Sequence, residues 1–492
     1  MQNRTLLKYD LIAVGIFFFY CLVFAVTRLI ISPNMELDES EQFLYGTAFH
    51  WGYSTQAPLY TWIVKTLSTF LGHTIITLVV LKYLLIFLFY VFFFKICRYF
   101  WDSRISLCVT GSLMLFPLYL YEFNRDLSHT VLVTVMGVIT CLLYLKVLST
   151  KKLIYYMLIG ISIGFGILSK YNFLFLVLLL LLASVSSKEG RAIIINKRIF
   201  ITILFSILII SPHIIWLIQN DYPSIWYGMN ESSPGRLDRY QSIKVLSVFA
   251  SPYIQIAGFF LLFIIFFFPF LSKNLKTLDA KVRFIRWVAL YGLLLPIVVI
   301  FILQTGHFST RWLAPIYFII PLAAFSFLRL DGGNNRLKYF GGLCASMGLV
   351  VLFIRIIVGF MPDVTGKTER IHIPFKDLSV QIHTFLQERG INKEMPFIII
   401  TDDSHIAANL AVYLPDLQFI DLKSSGRDKA AIKQIIDKQG IFIWKVRENG
   451  EIVPRNYHEN IYSDESFYLQ AHYLHSKYSS YTLGISFIEK LE

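Results

Sequence analysis

The chain has 492 residues, a formal net charge of +13 and the composition of a protein whose main solvent is lipid. Hydrophobic residues account for 56% of the chain and charged residues for only 16%, whereas a soluble domain has about 25% charged residues. This balance argues against a soluble globular fold, and we expect membrane lipids and no nucleic acid among the partners. The cysteines lie in or beside apolar runs without a C-x-x-C pair, which argues against a disulfide framework or a cysteine zinc site.

Eleven apolar runs approach the length of about 20 residues that a helix needs to cross the core of a bilayer. In chain order they are 9–31, 74–95, 104–121, 127–148, 153–169, 171–186, 198–218, 244–271, 284–304, 312–328 and 338–360. The first run predicts a retained helix, because Ser32, Pro33, Asn34 and Met35 lack the small-x-small pattern of a signal cleavage site. The sequence therefore predicts a polytopic α-helical membrane domain over residues 1–360, with about eleven spans.

Loops rich in Lys and Arg alternate strictly with loops that are poor in them. The cation-rich set includes the stretches 95–104, 188–198 and 273–286, whereas loop 32–60 has four acids and no Lys or Arg. Because cytoplasmic loops carry an excess of Lys and Arg, we expect the N-terminus to be cytoplasmic. The first outer loop and the tail from residue 361 are then expected on the non-cytoplasmic side.

The tail, residues 361–492, predicts a small soluble α/β domain. Strands are predicted in "MPFIIITDD", "LQFIDL", "GIFIWKV" and "YTLGISFIEKL". The stretch "DSHIAANLAVYL" predicts a helix with Asp403 or Ser404 as its N-cap. The stretch "DKAAIKQIIDKQG" predicts an amphipathic helix that Gly440 ends. Alternation of strands and helices is typical of such a domain.

The first outer loop, residues 32–73, predicts two amphipathic helices instead of a simple connector. Helical spacing of apolar residues occurs in "LDESEQFLYGTAF" and again in "APLYTWIVKTLSTFLG", where Pro58 lies near the first turn. Such helices lie flat at a membrane surface. Acids so closely spaced repel one another unless a cation or a reaction uses them; the alternative is a solvated acidic loop that only helps topology.

Other ionisable residues are predicted at the same membrane face. They occupy short turns between apolar runs: Arg125 and Asp126, Lys170, and His307 with Arg311. Each alone is explained by snorkelling of its side chain to the interface. Together they match one chemistry, in which a carboxylate accepts the proton of an attacking hydroxyl and cations stabilise a departing lipid phosphate.

The motifs of the first outer loop resemble those of the GT-C glycosyltransferases. The resemblance is to the bacterial branch related to protein O-mannosyltransferases and the lipid A aminoarabinose transferase. It is carried by Asp38-Glu39, Trp51-Gly52-Tyr53 and Pro58-Leu59, although Gln56-Ala57 stands where the family has His-Pro. The stretches "NRDLSHTVLVTV", "GILSKYNFLFL" and "HFSTRWLAPIYFIIPL" resemble later family elements, and the tail resembles the outer domain of some bacterial members.

The resemblance implies a role for each matched residue. Asp38 is expected to be the catalytic base, and Glu39 to support it or to orient the acceptor. Asp126 is expected near the donor phosphate. The cations expected to bind that phosphate are Lys170, Arg311 and Arg125, and the residues expected to line the substrate are Trp51, Tyr53, Gln56, Pro58 and His307. No cofactor is firmly implied; a divalent cation (Mg²⁺, Mn²⁺ or Zn²⁺) held by Asp126 or Asp38 is left open.

The implied activity is an inverting transfer of a sugar from a polyprenyl (undecaprenyl) phosphate carrier. The expected acceptor is a hydroxyl or phosphate of an envelope lipid or glycan of the lipopolysaccharide type, at the outer face of a bacterial inner membrane. A protein acceptor is the first alternative. A lipid-linked sugar transporter is the second, although transporters often carry charges at mid-membrane, whereas here the charges gather at one face. A non-catalytic membrane scaffold is the third.

Overall fold

The computed structural model describes residues 2–232, 242–271, 279–303, 308–330, 333–391, 397–422, 439–446 and 462–488. Its α-helices are α1 Gln2–Ile31, α2 Leu37–Tyr45, α3 Leu59–Leu71, α4 Ile75–Cys97, α5 Ser103–Gly111, α6 Phe123–Arg125, α7 Ser128–Thr150, α8 Leu153–Ser169, α9 Phe173–Ser186, α10 Lys188–Ile194, α11 Ile199–Gln219, α12 Pro223–Ser232, α13 Ser242–Phe267, α14 Ala280–Leu303, α15 Ala314–Tyr317, α16 Ile319–Phe325, α17 Asn335–Phe360, α18 Pro362–Thr365, α19 Phe375–Glu388 and α20 Ser404–Tyr413. The strands are β1 Phe397–Thr401, β2 Gln418–Asp421, β3 Gln439–Lys445, β4 Tyr462–His472 and β5 Ser480–Ile488. The two amphipathic helices predicted in the first outer loop are present as α2 and α3.

The chain is a multi-pass membrane protein, but the predicted count of eleven spans is not confirmed. Within the described residues, seven helices are long and apolar enough to cross a bilayer, or up to nine if two bent pairs each count as one span. The bent pairs are Ser103–Leu115 with Leu118–Arg125 and Phe173–Ser186 with Lys188–Ile194. The predicted run 312–328 is divided into short helices, because Pro315 and Pro321 have no N–H to continue a helix.

The chain divides into two compact units. The first unit comprises residues 1–24, 50–60 and 81–352; the second comprises 25–49, 61–80 and 353–492. The predicted boundary at residue 360 stays a prediction. By this division, much of the first outer loop belongs to the same unit as the tail.

Close helix packing in the first unit depends on small residues of α8. A Cβ at Gly160 would lie 2.4 Å from the Thr202 carbonyl oxygen, and one at Gly164 would lie 2.6 Å from Cβ of Ile209. The hydroxyl of Ser206 donates to the Gly160 carbonyl oxygen over 3.0 Å. Membrane helices commonly use small and hydroxyl-bearing residues in this way, so α8 and α11 are held against each other without a charged contact.

The second unit contains the predicted α/β domain. Its sheet has the order β2-β1-β3-β5-β4, with β1 parallel to β2 and β3, and β5 antiparallel to β3 and β4. Helices α19 and α20 contribute to its main apolar core, where buried residues include Phe375, Ile382, Leu410, Ile399 and Leu483. Four of the five strands coincide with the predicted ones.

The predicted helix 428–440 lies outside the described residues except at its end. The prediction that Gly440 ends this helix is wrong, because Gly440 lies in β3 and pairs with Ile398 of β1. A Cβ at this position would be only 2.5 Å from the Ile398 carbonyl oxygen. The glycine therefore permits a close approach of two strands and does not end a helix.

Candidate active site

The two predicted catalytic acids lie in the first turn of α2. Glu36 is the N-cap, and a reciprocal capping box joins it to Glu39. Asp38 is partly buried. Both acids therefore lie at a helix N-terminus, which carries a partial positive charge.

Glu39 is buried, and its carboxylate is already bound by other groups of the protein. Its Oε2 lies 2.7 Å from Nη2 of Arg28, and both side chains are at most 2% exposed. The same oxygen accepts the Glu36 backbone N–H over 2.9 Å. Arg28 also donates to the carbonyl oxygens of Ser32 and Asn34, over 3.1 and 2.5 Å. These contacts favour the supporting role for Glu39 over direct contact with an acceptor.

The chain just before α2 is bonded to the tail within the second unit. The Met35 N–H donates to Oδ1 of Asn409, and the Met35 carbonyl oxygen accepts from Nε2 of His405, each over 2.8 Å. The amide of Asn34 donates to the carbonyl oxygens of Ile371 and Ile373. The residues that lead into Asp38 therefore have little freedom.

The W-G-Y motif is held against α11 in the first unit. A Cβ at Gly52 would lie 2.0 Å from the ring of Trp216, so only glycine fits beneath this indole. Tyr53 is buried, which raises the pKa of its phenol, and its hydroxyl oxygen accepts the His50 N–H over 3.3 Å. The side chain of Trp51 is 51% exposed. The motif thus presents one aromatic ring and buries the other.

A chain of hydrogen bonds joins the W-G-Y motif to the turn that contains Lys170. Nδ1 of His213 lies 2.8 Å from the Trp51 carbonyl oxygen, and Nε2 lies 2.8 Å from the Tyr171 hydroxyl, which also contacts Ser224. A carbonyl oxygen only accepts, so Nδ1 of His213 carries a hydrogen. In the neutral ring Nε2 then accepts from Tyr171, and Ser224 donates to Tyr171.

The other predicted loop residues are placed as follows. Pro58 is buried directly before α3, and Gln56 is partly exposed. His307 lies outside the described residues. The substrate-lining roles of these residues stay predictions.

The segment Glu122–Thr130, named here the second-loop segment, has a strained turn. It runs from the end of a π-helix, Leu118–Glu122, through α6 to the first turn of α7. Leu127 adopts φ +73°, which is uncommon for a residue with a branched side chain. Asp126 is 7% exposed, and its N–H donates to the Glu122 carbonyl oxygen over 3.0 Å. Backbone strain of this kind concentrates at functional sites.

Three cations from distant parts of the chain contact this segment. Lys170 Nζ donates to Oγ1 of Thr130 over 3.0 Å. Lys82 Nζ donates to the Arg125 carbonyl oxygen over 3.3 Å. Arg311 lies 3.2 Å from Glu122. The structure therefore brings the predicted residues Lys170, Arg311, Arg125 and Asp126 together in the first unit.

Sequence reasoning missed several polar residues. Lys82 is 1% exposed within the apolar helix α4, and a lysine inside a predicted span is itself a signal of function. Arg28 gave the same signal at the end of the first span. The sequence gives no comparable signal for His213, His405 and Asn409, because their hydrogen-bond partners are distant in sequence.

The predicted acids and cations belong to different units. Asp38 and Glu39 are in the second unit, whereas Lys170, Arg311 and Asp126 are in the first. That they serve one reaction stays a prediction. Over the described part of the chain, no group of three or more His, Cys, Asp or Glu side chains is placed to hold a metal; a ligand role for Asp126 or Asp38 therefore also stays a prediction.

Comparison with known proteins places the chain among glycosyltransferases. Residues 55–216 match the family of dolichyl-phosphate-mannose-protein mannosyltransferases. Two relatives from Rhizobium johnstonii are lipopolysaccharide core galacturonosyltransferases. RgtB is 27% identical, with 81% of this chain and 80% of the relative covered. RgtA is 24% identical, with 82% and 80% covered.

Solved structures establish the fold. ArnT from Cupriavidus metallidurans bound to undecaprenyl phosphate matches with a TM-score of 0.59 at 12% identity, over 89% of this chain and 93% of that one. The same protein in the apo state matches with a TM-score of 0.54, also at 12% identity, over 86% and 92%. The chain therefore has the GT-C fold of these structures, and its matches to the mannosyltransferase family and to the two galacturonosyltransferases identify it as a glycosyltransferase.

Proposed function

We propose that this enzyme transfers a sugar from a polyprenyl phosphate carrier to a hydroxyl group of a lipopolysaccharide. The reaction takes place at the outer face of a bacterial inner membrane. Support for the acceptor comes from the two Rhizobium relatives, which are named for transfer to the lipopolysaccharide core. Support for the carrier comes from the undecaprenyl phosphate bound to ArnT. Galacturonic acid is the first sugar to test, because both relatives are named for it.

The observation that carries this proposal is the set of cations at the second-loop segment. Lys82 and Lys170 contact the segment directly, close to the start of the 23-residue helix α7. A helix N-terminus and clustered cations both stabilise a phosphate group. Ionisable residues within membrane helices mark substrate and ion pathways, and a lipid phosphate is the anion that a membrane enzyme of this fold would bind there.

The second part of the proposal is a proton acceptor at Asp38. The acceptor hydroxyl attacks the anomeric carbon of the sugar, and its proton passes to the Asp38 carboxylate. As the new carbon–oxygen bond forms, the bond between the anomeric carbon and the phosphate oxygen breaks, and its electron pair leaves with the phosphate. Lys82, Lys170 and Arg311 stabilise the negative charge that develops there. A single displacement inverts the anomeric carbon and needs no covalent enzyme intermediate.

A reconstituted assay tests this proposal. The purified enzyme in nanodiscs is given undecaprenyl phosphate-linked galacturonic acid and lipopolysaccharide core acceptor, and the product is analysed by mass spectrometry and by the anomeric coupling in NMR. We expect transfer with inversion, which Asp38→Asn abolishes. Asp377→Asn is the matched control, because Asp377 also lies in the first turn of a helix, α19, but is exposed. A wild-type rate for Asp38→Asn would refute the assignment of the base.

A protein acceptor is the second candidate. The family that residues 55–216 match is named for transfer to proteins. The same donor offered to peptides rich in Ser and Thr discriminates between the two. Transfer to peptide, and none to lipopolysaccharide, would favour this second function.

A further inference from the structure

We propose that His405 and Asn409 of α20 are positioning residues for the catalytic acid. They hold the main chain at Met35 and thereby fix the first turn of α2, in which Asp38 lies. This inference rests on the proposed role of Asp38 as the base. It assigns the C-terminal α/β domain a direct part in organising the active site.

Both main-chain groups of Met35 are bound by these two side chains. Asn409 Oδ1 accepts its N–H and His405 Nε2 donates to its carbonyl oxygen, each over 2.8 Å. Met35, His405 and Asn409 are each at most 2% exposed, so no water replaces a lost partner without rearrangement. Removing Asn409 leaves the buried Met35 N–H without this partner, and removing His405 leaves the Met35 carbonyl oxygen with a longer contact, 3.4 Å from Nδ2 of Asn409, so either loss weakens the anchor.

The two side chains are themselves held in one orientation. Asn409 Nδ2 donates to the His405 carbonyl oxygen over 2.9 Å, which fixes Oδ1 toward Met35. The amide also lies 3.3 Å from Oγ of Ser40, a residue of α2. Asp403 caps α20 by accepting the His405 backbone N–H over 2.8 Å. The side chains of His405 and Asn409 are therefore oriented mainly by contacts within α20.

The state of the His405 ring agrees with this arrangement. A carbonyl partner requires a hydrogen on Nε2, and the neutral ring supplies it. Burial lowers the pKa of His405 to about 4, with Asp403 and Glu39 opposing this effect and Arg370 adding to it. The ring is thus neutral at physiological pH, and its contact with Met35 is a hydrogen bond between neutral groups.

The consequence for catalysis follows from the distance along the chain. Met35 precedes the N-cap of α2 by one residue and Asp38 by three. A loosened Met35 frees the first turn to shift, and a misplacement of about 1 Å can reduce a rate about 100-fold. The cations of the first unit do not depend on Met35, so donor binding should be unaffected.

The experiment compares His405→Ala, His405→Gln, Asn409→Ala and Asn409→Asp in nanodiscs with the full chain. Gln supplies an amide donor for the Met35 carbonyl, and Asp retains an acceptor for its N–H. We expect each Ala variant to lower kcat at least ten-fold, with the donor KM and the inhibition constant of undecaprenyl phosphate within two-fold of wild type. The Gln and Asp variants should recover most of the kcat. His383→Ala, at a partly buried histidine of α19, is the control.

Several outcomes would overturn the inference. Wild-type kcat in both Ala variants would show that Met35 needs no anchor. An equal loss in His405→Gln and His405→Ala would show that ring packing, for instance against Phe375 at 5.3 Å, is what matters. If Asp38→Asn is inactive while the Ala variants are normal, the positioning role fails and the proposed function stands. If Asp38→Asn is active, the assignment of the base fails and this inference fails with it, whereas the transfer reaction is tested separately by the wild-type enzyme.

Discussion

The buried pair of Arg28 and Glu39 offers the most direct test of what stabilises the first turn of α2. In the variant Glu39→Gln the side chain can still accept the Glu36 N–H, but its negative charge is lost. Arg28 then remains charged at 2% side-chain exposure without the Glu39 carboxylate, while the carbonyl oxygens of Ser32 and Asn34 still accept its hydrogen bonds. Breaking one side of a buried ion pair costs about 3–5 kcal/mol. We expect the lower end of that range for Glu39→Gln, because the Ser32 and Asn34 carbonyl oxygens remain.

The reverse variant, Arg28→Met, should be more damaging. It leaves the Glu39 carboxylate buried, and we expect the upper end of the range. The double variant removes both charges, so its loss should be smaller than the sum of the single losses. Such non-additivity is the signature of a direct interaction, and residues in contact commonly show about 0.5–3 kcal/mol of it.

The assay is a double-mutant cycle on equilibrium unfolding of the purified protein in mixed detergent micelles, with transfer rates measured in parallel. The pair of Arg283 and Glu189 is the control; its side chains are 44% and 38% exposed, and its ion pair measures 3.0 Å. Exposed pairs contribute about 0–1 kcal/mol. A coupling energy between Arg28 and Glu39 as small as that of the control would refute the reasoning.

Three further predictions concern the pH dependence, the donor site and the W-G-Y motif. The pKa of His405 is lowered from 6.5 to about 4. On acidification the unfolded chain therefore binds a proton before the folded chain does, and the free energy of unfolding should fall as the pH drops from about 6.5 to about 4. The His405→Gln variant should lack this part of the pH dependence; an unchanged pH dependence would contradict the prediction. Lys82→Ala and Lys170→Ala should each raise the inhibition constant of undecaprenyl phosphate about ten-fold or more, since a hydrogen bond to a charged group contributes about 1.5–3 kcal/mol; equal binding to wild type would exclude phosphate contact. Gly52→Ala places a Cβ 2.0 Å from the Trp216 ring and should lower thermal stability and transfer; recovery in Gly52→Ala with Trp216→Leu checks that this clash is the cause.

Features set by neighbouring residues were predictable from the sequence. The apolar run at 397–401 predicts a buried strand, which is present as β1. The N-cap of α20 was predicted as Asp403 or Ser404, and it is Asp403, whose carboxylate accepts the His405 N–H two residues later. The amphipathic helices of the first outer loop were found from their spacing. Each of these features is predicted from residues that are close together in sequence.

Features set by distant residues were not predictable. Strand β4 is largely polar in sequence and was missed, because its position depends on pairing with β5. The anchor at Met35 joins residues separated by 370 positions or more. The predicted number of spans is not confirmed for a different reason. Hydropathy reports how apolar a run is and not whether it forms one straight helix, and residues 312–328 are apolar yet divided into short helices.

Met35 and Asn409 are 374 positions apart, and this distance sets an order of events during biosynthesis. A ribosome finishes the first outer loop long before it has made α20. The emerging chain therefore contains Asp38 before Met35 has its partners, His405 and Asn409. These contacts form only when the tail has folded. A prematurely terminated chain would contain the first outer loop and lack the side chains that hold Met35.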